Sequence, residues 1–320
     1  MRAVRIHEFG PPEVLRVDDV PDPVAGPGEV LVEVTAIGLN YGETLQRSRA
    51  SSELYDWYPE PALPTIPGVE VTGVVRSVGQ DVSTDLVGTE VVGFALRGAY
   101  AELAVLPAAG AVPVPTGLDS RHALALFLQG VTAAGLMDAA RIQPGERVLI
   151  EAAAGGVGSL LVQLVTRAGA TAVALASGAK LAAAKELGAD ETVDYTDADW
   201  PSRVEPVDVA LSSVGGQVTR SSFDLLRDGV GRMVVYGTAS GAFADITVKE
   251  LVRKGVGLIG LRNLAGDPAY AAGLLADVFA LGASGELRPV LGESWPLAEA
   301  AAAHRALEAR TTTGKTFLIP

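Results

Sequence analysis

The sequence predicts an α/β protein of two lobes, one β-rich and barrel-like, the other a doubly wound parallel sheet. Three observations lead there. The chain has 320 residues, 48% hydrophobic and 20% charged, enough for two globular domains that each bury a core. Its first third consists of short alternating runs broken by proline and glycine, the mark of a β-rich lobe. From residue 147 onward, apolar strand-like runs alternate with helical ones, the mark of βαβ units and a parallel sheet.

Element by element, Pro11, Pro12, Pro21, Pro23 and Pro27 punctuate turns in the opening segment. Residues 29–36 (EVLVEVTA) alternate with the period of a half-buried strand. Residues 68–79 (GVEVTGVVRSVG) do so again, with internal glycine as at barrel bends. Residues 88–94 and 99–105 continue the pattern. The character changes near Thr116, and residues 122–141, rich in Ala and Leu, read as helical. Then follow a strand at 147–152, a helix at 156–168, a strand at 171–176, a helix at 180–187 and an extended piece at 192–195. A strand at 207–214, a helix at 217–226 and strands at 232–236 and 256–261 complete the alternation. Right-handed crossovers wind such units into an open sheet. Residues 267–281 read as a helix, 287–295 as extended, 297–310 as a helix and 315–319 as a strand that rejoins the first lobe. The expected domains are 1–121 for the first part of the β-rich lobe, 122–265 for the sheet, and 266–320 for a connecting helix and the return.

Charge and composition exclude several classes. Lys and Arg number 25 against 38 Asp and Glu, a net charge of −13. That field repels nucleic-acid backbones and anionic membrane surfaces, so neither partner is expected. No window approaches roughly 18 uninterrupted apolar residues, so no membrane span is expected. The first residues show no apolar run ahead of their charges, so no signal peptide is expected. There is no cysteine, which excludes disulfides, thiolate ligands and thiol nucleophiles and fits the cytoplasm. The three histidines are His7, placed in the first strand, and His122 and His304, placed on Ala-rich helices. None has a ligand-spaced partner, so the site is expected to hold no metal.

The most informative segment is 148–158, VLIEAAAGGVG. An apolar strand runs into a glycine-rich turn that opens a helix. Such a turn lets backbone N–H groups approach a pyrophosphate at the positive helix end, and Gly158 permits close helix–strand packing. Ala153 stands where the usual first glycine would. A tight βα turn alone would read the same; the strand, turn, helix and next strand in order favour dinucleotide binding. An NAD site needs a carboxylate about 20 residues on, for the ribose 2′-hydroxyl. The second strand ends instead in ALASG, 174–178, with no acid; it contains Ser177, and Lys180 follows. A hydroxyl and an ammonium suit a 2′-phosphate, which predicts NADPH. The alternative is a helix-capping serine and a solvated lysine.

Several strings then resemble one family: AIGLNY (36–41), PTIPG (64–68), QGVTA (129–133), the glycine turn, LGAD (187–190), VVYGTASG (234–241) and TGKTFL (313–318). Together they resemble the zinc-independent quinone oxidoreductase branch, zeta-crystallin-like, of the medium-chain dehydrogenase/reductase superfamily. The resemblance spans nearly the whole chain. It implies a GroES-like β-barrel domain plus a Rossmann domain, and NADPH-dependent reduction of quinones or α,β-unsaturated carbonyls. Position by position it implies cofactor contacts from Asn40, Thr132, Gly155, Gly156, Val157, Ser177, Lys180, Tyr195, Gly237, Ser240, Gly241, Leu261, Asn263 and Lys315. Where many relatives read DSVGG, this chain reads SSVGG at 212–216, which alters a polar contact. Between Gln46 and Pro64 the chain carries extra residues with Tyr55, Trp57 and Tyr58, where relatives read a short RSGxYP; these aromatics either line the substrate mouth or pack on one another.

The expected reaction is hydride transfer, metal-free, with the proton from water or from the hydroxyl of Tyr41 or Tyr58. An enoyl-thioester reductase is the second reading. Its phosphate-bearing substrate would want a basic strip, and the extra residues offer only Arg47 and Arg49. A non-catalytic NADPH-binding protein is the third. The short apolar run 256–261 is expected to be an edge strand that pairs with its two-fold mate in a homodimer.

Overall fold

The computed structural model describes residues 1–50, 54, 60–261 and 267–320. The chain opens with β1 (Arg2–Ile6), paired antiparallel with β2 (Leu15–Asp19). His7 lies one residue beyond β1 rather than in it; its exposed ring meets Asp18 at 2.7 Å. β3 (Glu29–Gly38) keeps the expected alternation through Val32, Glu33, Val34 and Thr35, with the valines buried and Glu33 and Thr35 exposed. The sequence pattern overlooks α1 (Tyr41–Arg47). Its signal is a capping arrangement: the Glu43 carboxylate reaches back to accept the Asn40 N–H at 3.2 Å.

β4 (Glu70–Val78), β5 (Glu90–Phe94), β6 (Leu103–Pro107) and β7 (Val112–Pro113) follow. β6 starts later than the pattern at 99–105 suggests. The N–H groups of Ala99 and Tyr100 both turn to the Pro67 carbonyl, which takes them off any ladder. α2 (Ser120–Ala140) is long and apolar enough, by length and composition, to cross a membrane, which counting uninterrupted apolar residues missed; 61% of its apolar window is buried inside the protein, as in a core helix.

The alternating region then forms β8 (Arg147–Ile150), α3 (Gly156–Arg167), β9 (Thr171–Ala176), α4 (Lys180–Glu186), β10 (Glu191–Asp194), β11 (Val209–Ser212), α5 (Gly216–Asp224) and β12 (Arg232–Val235). The sequence pattern also overlooks α6 (Val248–Lys254), although T-x-x-E at 247–250 and Gly255 bound it. Thr247 Oγ1 accepts the Glu250 N–H at 3.3 Å, Glu250 accepts the Thr247 N–H at 2.9 Å, and Gly255 closes the helix at φ 64°. β13 (Gly257–Gly260) and α7 (Pro268–Ala283) follow. The six strands β8–β13 make one parallel sheet in the order β10-β9-β8-β11-β12-β13. Leu149, Val173, Leu175, Ala210, Phe223 and Met233 are buried around it.

The chain ends with β14 (Leu291–Pro296), α8 (Ala300–Glu308) and β15 (Lys315–Ile319). These complete the first lobe's sheet, ordered β14-β15-β3-β4-β5-β7, with β6 also on β3. Ile6, Val30, Val32, Ile37, Val71, Leu106 and Leu318 pack together there. One compact unit holds residues 1–128, 282–284 and 290–320, the other 129–281 and 285–289. The first division falls inside α2, not at 121/122. The composition shift marks where that unbroken helix starts, not where the units part. α7 goes with the sheet unit through Leu281 rather than with the return segment.

Candidate active site

In the sheet unit, β8 leads into a turn. Glu151 follows the strand, and Ala152 takes φ 50°, left-handed backbone that glycine adopts without cost. The Ala153 N–H bonds the Leu175 carbonyl at 2.9 Å, and the Gly155 N–H returns to the Ala152 carbonyl at 2.9 Å. The first intrahelical bond of α3 is Ser159 N–H to the Gly155 carbonyl, 2.9 Å. Gly156, Val157 and Gly158 therefore present N–H groups with no acceptor in their own helix. No side chain caps this end, and its first turn holds no acidic residue. A Cβ on Gly158 would lie 2.2 Å from the Ala152 carbonyl oxygen and 2.7 Å from the Ala153 Cα. The strand order reverses between β8 and β11, so the turn opens at the topological switch point, where open α/β sheets bind ligands. These groups fit a pyrophosphate.

The carboxyl ends of β9 and β10 bring three candidates together. Tyr195 N–H bonds the Ala176 carbonyl at 3.3 Å, which sets it beside Ser177, and Lys180 N–H bonds the Ser177 carbonyl at 3.0 Å. The acid at this edge, Asp194, is engaged by backbone. It accepts the Gly178 N–H (2.9 Å), the Thr196 N–H (2.9 Å) and the Thr196 hydroxyl (2.6 Å). Those bonds, the Thr196 hydroxyl first, hold its carboxyl below the usual range. Both of its oxygens are engaged in this turn, Oδ2 by Gly178 and Oδ1 by Thr196.

The loops after β11 and β12 are laced together. The Ser213 carbonyl accepts the Ala239 N–H at 3.0 Å, and the Val214 carbonyl accepts the Ser240 N–H at 2.6 Å. Gly241 N–H closes a turn on the Thr238 carbonyl at 2.8 Å, and Leu261 N–H joins the end of β12 through the Val235 carbonyl at 2.9 Å. Gly237, Ser240, Gly241 and Leu261 thus share the same edge of the sheet as the glycine turn. Thr132 lies half-buried in α2. Asn263 lies outside the described residues.

In the barrel unit, Lys315 and Asn40 meet. Lys315 is buried, and its Nζ donates to the Leu39 carbonyl (2.9 Å), to Asn40 Oδ1 (2.9 Å) and to the Glu70 carboxylate. All three ammonium N–H groups are spent inside the protein. Lys315 was expected to contact cofactor; this geometry makes it a support for Asn40. Asn40 Nδ2 in turn donates to Glu70 at 3.1 Å and to Glu43 at 3.2 Å.

Behind Asn40 runs a buried network absent from the sequence reading. Tyr100 donates its hydroxyl to Glu43 at 2.6 Å and meets His304 Nε2 at 2.8 Å, while Arg47 Nε faces His304 Nδ1 at 3.3 Å. Arginine can only donate, so Nδ1 is the acceptor, and the single ring proton sits on Nε2, pointing at Tyr100. Burial, then Arg47, pushes His304 down to about 3; it stays neutral. Burial pushes the Glu43 carboxyl up.

The two candidate proton donors are treated differently. Tyr41, next to Asn40, turns its phenol toward Arg310 and Glu308, and partial burial raises it above its ordinary value. It keeps its proton at neutral pH. Tyr58, with Tyr55 and Trp57, lies outside the described residues. Among the described residues no group of three or more His, Cys, Asp or Glu could hold a metal ion.

Comparisons with known proteins agree with both units. The alcohol dehydrogenase GroES-like domain family matches residues 26–116, and the zinc-binding dehydrogenase family matches residues 187–318. A quinone oxidoreductase of Pseudomonas aeruginosa is 34% identical over 331 residues, covering 100% of this chain and 99% of its own. A 2-haloacrylate reductase of a Burkholderia species is 32% identical, covering 99% of this chain and 98% of its own. The crystal structure of Escherichia coli quinone oxidoreductase complexed with NADPH superposes with a TM-score of 0.91 at 30% identity, over 100% of both chains.

Proposed function

Because the chain belongs to the quinone oxidoreductase branch of the medium-chain dehydrogenase/reductase superfamily, we propose that it is an NADPH-dependent reductase of quinones and related α,β-unsaturated carbonyls. The observation that carries this is the open N-terminus of α3 at the switch point, with Ser177 and Lys180 at the end of β9, which itself ends without an acid. Bound there, NADPH supplies a hydride, and the substrate takes that hydride and one proton. Of the expected pyrophosphate set, Gly155 spends its N–H on the Ala152 carbonyl, so the amides of Gly156 and Val157, joined by that of Gly158, would hold the pyrophosphate, and Ser177, Lys180 and Tyr195 the 2′-phosphate and adenosine. Gly237, Ser240, Gly241, Leu261 and Asn263 would follow the nicotinamide half, with Thr132 and the Asn40 amide that Lys315 orients. Tyr41 and Tyr58 are the proposed proton donors, alongside water.

The thioester alternative loses ground on one point. Of its two bases, Arg47 is buried against His304, the Gly10 carbonyl and Glu308, and Arg49 pairs with Glu60 at 2.6 Å. Neither offers a basic strip. NADPH oxidation against a panel of quinones, alkenals and enoyl thioesters tests the proposal; turnover confined to the thioesters would replace it with the second reading. Bound NADPH with no turnover on any of them would leave a binding protein.

Lys180→Ala is expected to weaken NADPH by about 1–3 kcal/mol, the worth of a charge-assisted contact, with NADH nearly unchanged. Titration of both cofactors checks this, and equal affinity of the unaltered protein for the two would contradict it. The proposal also includes metal-free turnover in the cytoplasm. Treatment with a chelator is expected to leave the rate intact; a loss restored by zinc would overturn that.

The proposal extends to a two-fold dimer through β13, supported by its place at the end of the parallel sheet among the described residues. Gly257 and Leu261 turn their N–H groups to the Gly231 and Val235 carbonyls. In a parallel ladder the alternate residues, Leu258 and Gly260, then face away from β12. Leu258 is exposed, as are Val248 and Val252 of α6. A like edge on a second copy would satisfy those groups and cover the apolar side chains. Light scattering is expected to give twice the chain mass. Leu258→Pro removes an outward donor that the sheet itself does not use, and is expected to yield monomer; a monomeric starting protein would refute the dimer.

A further inference from the structure

Glu151 is fully buried at the carboxyl end of β8, beside the glycine turn, and no part of the cofactor reading uses it. Five donor groups lie within hydrogen-bond distance of its carboxylate, and the hydroxyls of Ser212 and Thr219, 2.6 Å from each other, have one proton between them left to give it. The N–H groups of Ser213 (2.9 Å) and Val214 (2.8 Å) come from the loop after β11, and the Ser212 hydroxyl (3.1 Å) from that strand's end. The hydroxyls of Thr219 (3.1 Å) and Ser222 (2.8 Å) come from α5. Thr219 Oγ1 also accepts the Gly215 N–H at 2.8 Å. On their other side, Ser213 and Val214 offer the carbonyls that accept Ala239 and Ser240. One side chain therefore ties the strand that feeds the glycine turn to the loop after β11, and through it to the loop after β12.

A buried carboxylate is costly, and burial pushes Glu151 up against the pull of these bonds. A leucine would fill the same space without that cost. What leucine could not do is satisfy two backbone N–H groups that the loop turns inward.

We infer that Glu151 is a positioning residue for cofactor binding, locking the loops that follow β8, β11 and β12 at a fixed separation before NADPH arrives. This rests on the proposed NADPH site. Preorganised loops lose less freedom on binding, so the lock acts on affinity rather than on the chemical step.

The test compares Glu151→Leu and Glu151→Gln with the unaltered protein. Glutamine can accept the Ser213 and Val214 N–H groups on its oxygen and donate to the hydroxyls of Thr219 and Ser222, which can reverse their roles. Amide exchange at Ser213 and Val214 reads the lock without any cofactor, and NADPH titration reads its consequence. Expected are faster exchange and about tenfold or more weaker NADPH binding in the leucine variant, with kcat at saturating NADPH changed by less than about threefold. The glutamine variant should stay within about threefold of the unaltered protein in both readouts. Should Glu151→Leu not fold, Thr219→Val against Thr219→Ser repeats the comparison from the donor side. Unchanged exchange in Glu151→Leu, or in Thr219→Val, would overturn the lock. Fast exchange with unchanged NADPH affinity would leave Glu151 structural and overturn its role in binding. Failure of the unaltered protein to bind NADPH, with the exchange result intact, would instead fault the proposed function.

Discussion

Lys315→Met is expected to destabilise the protein by about 3–5 kcal/mol, the cost of stranding one partner of a buried ion pair. Lys315 and Glu70 are both buried. Without the ammonium, the Glu70 carboxylate keeps only the Asn40 amide at 3.1 Å, and the Leu39 carbonyl loses its donor. At about 2–4 °C per kcal/mol for a domain of this size, the melting temperature should fall by roughly 10 °C. The second substitution separates the pair from mere packing. In Glu70→Gln/Lys315→Met no buried charge is stranded, so the double variant should regain more than half of the loss. Scanning fluorimetry checks both; a melting temperature within about 2 °C of the original in the single variant would show that the pair holds nothing. A folded fraction of the single variant should also show a raised KM, since Asn40 Oδ1 loses the donor that orients it.

Gly158→Ala is expected to remove most NADPH affinity. The added Cβ meets the Ala152 carbonyl oxygen at 2.2 Å and the Ala153 Cα at 2.7 Å. Both are backbone atoms, so no rotamer relieves the clash and the turn must open. Overpacking of this kind costs about 1–3 kcal/mol and occasionally more, and here it displaces the donors themselves. Calorimetric titration should show at least about tenfold weaker NADPH binding in Gly158→Ala. Gly273→Ala is the control. Its Cβ has no neighbour within 4 Å, and it replaces a glycine inside α7, so it should be neutral or stabilising by up to about 1 kcal/mol. Equal NADPH affinity in Gly158→Ala would mean that the turn is not the pyrophosphate site.

The parallel sheet is legible in the sequence because its strands are buried on both faces and its helices are periodic; β8, β9, β12 and β15 lie where the apolar runs lie. So is the glycine turn, since its function needs glycine itself. The overlooked helices, α1 and α6, are seven residues each. They carry no apolar stripe long enough to count, and only their capping residues betray them. The buried polar network of the barrel unit was beyond reach for another reason. Glu43, Glu70, Tyr100, His304 and Lys315 come from distant parts of the chain, and nothing local marks a glutamate as buried. The same holds for Glu151, which stands inside the most informative segment, because its donors, Ser213, Val214, Thr219 and Ser222, are some 60 to 70 positions away. Lys315 closes a string whose resemblance implies a cofactor contact; only the fold shows its ammonium turned inward.

The most direct measurement is anaerobic mixing of the protein with a quinone, 1,4-naphthoquinone, and either NADPH or NADH, following both the nicotinamide and the quinone. One quinone should be reduced for each NADPH oxidised, with kcat/KM for NADPH exceeding that for NADH by about tenfold or more, the value of a lost 2′-phosphate contact. No quinone reduction with NADPH bound, or equal efficiency with NADH, would contradict an NADPH-dependent quinone reductase.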